Sequence, residues 1–79
     1  MIEKRAAQRH RVLKGATIAF GGYGVACTVR NMSSSGAALD LAEPIGLPPS
    51  FTLRIERDRF ARRCRSVWRH EKRIGVAFD

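Results

Sequence analysis

An all-β domain, a six-stranded antiparallel barrel, is the fold class this sequence predicts, and three observations lead to it. Apolar and polar residues alternate with period 2 in short segments from Val12 to Phe78. Turn-forming residues punctuate those segments at Gly21-Gly22, Pro48-Pro49, Arg57-Asp58-Arg59 and His70-Glu71. No stretch carries a helical period, so little or no helix is expected, at most a single turn near Glu43 to Gly46. Closing so short a sheet removes the exposed edges that would otherwise pair with other chains.

The elements follow in order. Residues 1 to 11 are polar and basic and read as a flexible arm, leaving 12 to 79 as one barrel domain. Val12 to Phe20 forms a first strand with Ile18 and Phe20 on one face, and Gly21-Gly22 makes a tight hairpin. Val25, Cys27 and Val29 alternate with Ala26, Thr28 and Arg30 in a second strand that ends at Asn31. Ala37, Leu39 and Leu41 form one face of a third, and Phe51, Leu53 and Ile55 the inward face of a fourth. Cys64, Ser66 and Trp68 alternate with Arg63, Arg65 and Arg69 along a fifth, with Val67 disturbing its facing. Ile74, Val76 and Phe78 close a sixth. Trp68 and the four Phe residues fall mainly on inward positions and are expected in the core.

With 79 residues, 44% of them hydrophobic, the chain supports one modest core. No apolar run reaches the roughly 18 residues of a membrane span, and Met1 to Arg5 leads into no signal-like segment, so a cytoplasmic protein is expected. Cys27 and Cys64 lack metal-ligand spacing and read as two buried reduced thiols, with a disulfide as the lesser alternative. Fifteen Lys and Arg, twelve of them Arg, against seven Asp and Glu leave a net charge of +8. Such a surface attracts nucleotides, nucleic acid, acidic proteins or anionic headgroups, and charge alone does not choose among them.

Catalysis finds little support. Ser33, Ser34 and Ser35 have no positioned His-acid pair, the carboxylates are scattered, and His10 and His70 stand apart, so neither an enzyme nor a metal site is expected. Two motifs carry more. Arg5-Ala-Ala-Gln-Arg9 has R-x-x-x-R spacing; the same spacing recurs at Arg59/Arg63, Arg65/Arg69 and Arg69/Arg73, but only the first pair lies in the basic arm. About twenty residues later, Asn31-Met-Ser33-Ser-Ser-Gly36 reads N-x-S-x-x-G. By itself this hexapeptide is equally a side-chain-bonded turn in which Gly36 supplies a positive φ. Alternatively, Asn31 and Ser33 offer short donors and acceptors to a base or phosphate, and Gly36 keeps a Cβ out of the way.

The ordered pair, followed by Arg63 to Arg69 and by Ile74-Gly75-Val76-Ala77-Phe78, resembles the PilZ domain over essentially the whole chain. The resemblance implies a six-stranded split barrel and a non-enzymatic bacterial receptor for cyclic di-GMP, with no further cofactor. It assigns phosphate and guanine contacts to Arg5, Arg9, Asn31 and Ser33, and turn shaping to Gly36. Lys4 and Arg11 are secondary candidates, Arg11 because it could do the work assigned to Arg9. The implied mechanism closes the arm over the ligand and signals to a protein partner, in motility, adhesion or exopolysaccharide control. The rival reading is a basic OB-like or SH3-like barrel that binds RNA or DNA, disfavoured because the aromatics are expected to point inward. A PilZ-like protein adaptor without ligand is a third.

Overall fold

The alternating segments do pair into a barrel. In the computed structural model, which describes residues 10–79, six antiparallel strands close in the order β1-β2-β3-β6-β5-β4. They are β1 His10–Phe20, β2 Tyr23–Met32, β3 Gly36–Leu41, β4 Ser50–Ile55, β5 Phe60–His70 and β6 Arg73–Phe78. β1 thus starts ahead of the expected Val12 and takes in Arg11, whose backbone partner is Asn31.

Alternation places the core where it was expected. Ile18, Val29, Leu39, Phe51, Leu53, Ile55, Cys64 and Ile74 fill the barrel, with Val12, Phe20, Met32, Phe60 and Phe78 packed around them. Removing this apolar surface from water is the main force holding the closed sheet. Cys27 and Cys64 are free thiols inside the core. Burial pushes them up to about 12 and about 11, so both are neutral at physiological pH.

Turns behave as their residues dictate. Gly21 and Gly22 both take positive φ, as a two-residue hairpin requires. The expected helical turn at Glu43 to Gly46 is absent; that stretch is a loop, where Pro48-Pro49 and Gly46 offer no helical hydrogen-bond ladder. The helical turn lies instead at Glu56–Asp58, a 3-10 turn closed by Arg59 in the left-handed region. Lys14 of β1 forms an ion pair with Asp58 there.

A second correction concerns Trp68. It is 46% exposed rather than buried, and its neighbour Val67 is 62% exposed. The reason lies in the ladder. Ser66 pairs with Val76 but Trp68 pairs with Gly75, so β5 carries one extra residue and the facing reverses.

Candidate functional site

The same device sets the direction of Asn31. Cys27 and Val29 point into the barrel, and unbroken alternation would turn Asn31 inward too. However, Val29 pairs with Leu39 and Asn31 with Ala38, leaving Arg30 as the extra residue of β2. A bulge puts its two residues on roughly one side, so Arg30 and Asn31 both face out. A third shift falls between Arg11 and Lys14 of β1.

These three irregularities border a single row of cross-strand partners. It runs Arg11–Asn31–Ala38–Gly75–Trp68 over the outside of β1, β2, β3, β6 and β5. Its middle is a floor of small side chains, Ala38 and Gly75, both buried. The Trp68 indole lies across Gly75: a Cβ there would come within 2.2 Å of Nε1 and 2.8 Å of Cζ2. Glycine is therefore what lets the ring lie flat on the sheet.

Two open grooves adjoin the row on its Asp40 side. One, of about 500 Å³, is lined by Arg11, Leu13, Arg30, Asn31 and Arg73. The other, of about 590 Å³, has Trp68, His70 and Lys72 among its walls and shares Arg73 with the first. Asp40, in the wall of the second groove, is the cross-strand partner of Arg73. Arg73 donates from Nε to Asp40 Oδ1 at 2.7 Å and from Nη2 to Oδ2 at 3.1 Å, and Arg30 Nη1 lies 3.5 Å from Oδ2. The Arg73 hydrogen bond, joined by the charges of Arg73, Arg30 and Lys72, holds the Asp40 carboxyl below its ordinary range.

The rest of the N-x-S-x-x-G segment serves the turn. Ser33 N–H donates to Gly36 O at 2.8 Å, and Ser35 N–H donates to Ser33 Oγ at 3.2 Å. The Ser33 hydroxyl also lies 3.4 Å from Gly36 O, as a donor, and 3.2 Å from Ser35 Oγ. Gly36 has a packing reason of its own to be glycine. Its φ is not positive, and the atom a Cβ would meet is the backbone O of Val76, at 2.2 Å. Close approach of β6, fixed by the Gly36–Ala77 pairing, excludes any side chain.

Of the residues singled out from sequence, the structure brings Arg11 and Asn31 together in one groove and places Ser33 and Gly36 in the adjoining turn. Lys4, Arg5 and Arg9 lie outside the described residues; Arg9 immediately precedes His10, where β1 begins opposite Met32. Arg30, Arg73 and Trp68 were not singled out as site residues. The only sequence signal for Trp68 was the irregular apolar run Val67-Trp68, which marks the bulge. Among the described residues, no group of His, Cys, Asp and Glu could hold a metal ion. No helix among them is long and apolar enough to cross a membrane.

A family model for the PilZ domain matches residues 3–79. The chain belongs to the PilZ domain family. This is a family of cyclic di-GMP receptors, ligand-binding and generally non-enzymatic. The match spans the whole described barrel and both motifs. No curated protein matches the chain.

Proposed function

We propose that this PilZ domain binds cyclic di-GMP across the outer row from Arg11 to Trp68, with Arg5 and Arg9 closing over the ligand from the N-terminal side. The observation that supports this most strongly is the placement of all three bulges along one row, which turns Asn31 and Trp68 outward together. Bulges that re-aim side chains are enriched beside binding sites.

The chemistry matches the ligand class. A cyclic dinucleotide offers two negative charges, two guanine edges and broad π-faces. Guanidinium groups address phosphates as forks and the guanine O6/N7 edge as bidentate donors. The Asn31 amide supplies a donor and an acceptor to a base edge. Trp68, with one face on Gly75, offers its exposed surface for stacking. Binding then fixes residues 1 to 9 over the row, and the surface so formed is what a protein partner reads. Each residue that must be fixed costs roughly 1–2 kcal/mol, which several charge-assisted contacts offset.

Isothermal titration with cyclic di-GMP at physiological salt, with GTP as control, tests the reading. Saturable binding to the cyclic dinucleotide alone is expected, with most of it lost in Arg5→Ala or Arg9→Ala while the barrel stays folded. Native affinity in both variants would refute the assignment of those arginines. The exposure of Trp68, and of Tyr23 at 71%, favours one second reading, because exposed rings on an arginine-rich surface, Tyr23 sharing a groove with Arg63, also suit single-stranded nucleic acid. That alternative requires salt-sensitive, sequence-tolerant binding to polynucleotide and no preference for the cyclic dinucleotide.

A further inference from the structure

We infer that Arg30 and Arg73, held in place by Asp40, form with Arg11 a phosphate-receiving site that lies outside both sequence motifs. The inference deepens the cyclic di-GMP reading and rests on it for the natural ligand. The site itself stands on geometry.

The first groove has three guanidinium groups and one amide in its described lining, and no carboxylate. The carboxylate that touches two of those guanidiniums is Asp40, which lines the adjoining groove. Three positive charges against one leave an excess of two, the charge of a cyclic dinucleotide. Arg30 faces outward by plain alternation after the buried Val29, and the bulge in β2 turns Asn31 out beside it. Arg73 arrives from β6, two strands away, and is the residue common to both grooves.

Asp40 acts through these arginines and is a positioning residue. It occupies Nε and Nη2 of Arg73 and leaves Nη1 outside that fork. A guanidinium with one edge locked in a fork has little left to lose when its other edge binds a phosphate. The same carboxylate faces Arg30, so one side chain orders two. Simple charge counting predicts that removing Asp40 strengthens anion binding; positioning predicts that it weakens it. The two accounts differ in sign.

The experiment is an NMR titration of the 15N-labelled chain, following arginine Nε–H resonances, first with inorganic pyrophosphate and then with cyclic di-GMP. Arg30 and Arg73 are expected to shift with both probes, and Arg54, on the strand the row does not cross, with neither. In calorimetry, Arg73→Gln should weaken cyclic di-GMP about tenfold and flatten the salt dependence, and Arg54→Gln should leave both unchanged. Asp40→Asn should weaken binding about threefold despite the added positive charge, and broaden the Arg73 Nε–H signal. Uniform small shifts in every arginine, or native affinity in both Arg30→Gln and Arg73→Gln, would overturn the site. Tighter binding in Asp40→Asn would overturn the positioning role. If pyrophosphate moves Arg30 and Arg73 but cyclic di-GMP does not bind, the receptor reading fails and the anion site stands.

Discussion

The ladders around β4 and the ladders around β2 are made of the same kind of sequence and behave differently. β4 pairs with β5 over six consecutive partners and with β1 over three, without interruption. There Phe51, Leu53 and Ile55 face inward and Thr52 and Arg54 outward, as alternation demands. Each ladder made by β2, and the β5–β6 ladder, contains one register shift. On the regular side the residue pattern reports burial directly. On the bulged side it reports burial only up to the shift, and beyond it the facing reverses. Both sides contribute to the core, and the bulged side carries the candidate site.

Substitutions can break or sharpen this contrast. The largest effect is expected on the regular side, where Phe51→Ala should cost about 3–5 kcal/mol in urea unfolding because it empties the centre of the core. Next comes Gly36→Ala, at about 1–3 kcal/mol in the same assay, since its Cβ would strike backbone rather than a movable side chain.

The buried thiols give the core a pH signature. Their folded values lie near 12 and 11 against an ordinary 9.0, so the stability they confer is complete below pH 9 and is lost as pH rises toward those values. A melting temperature that falls between pH 9 and 12 is expected, with a shallower fall in Cys27→Ala. On the bulged side, Trp68→Ala should leave the fold intact and weaken cyclic di-GMP about tenfold by calorimetry. The smallest effect is acidic. Asp40 titrates below its ordinary 3.8, so its contribution is present above that pH and fades as pH falls through the lowered value. Because the carboxylate is partly exposed to solvent, melting curves of native and Asp40→Asn proteins should converge as pH falls below the ordinary carboxylate range, from only a small difference at neutral pH.

Much of the fold was legible because burial and alternation are local properties: the strand faces of Ile18, Val25 to Val29, Leu39, Phe51 to Ile55 and Ile74 to Val76 could be read directly. Arg11 and Asn31 were legible as residue types at a motif spacing. Trp68 was misread, since counting by twos from Cys64 lands it in the core. The packing need at Gly36 was not legible, because the atom that excludes its side chain belongs to a strand forty residues away.

The all-β class, the six strands, most of the core and the excess of arginine are written in the chain's local sequence, because each follows from neighbours within a few residues. Only the tertiary structure decided which arginines share a groove, that Asp40 joins Arg30 to Arg73, and that Trp68 lies on Gly75. Those relations depend on the registers of paired strands, and one extra residue in a ladder changes a register without changing the pattern that announces the strand.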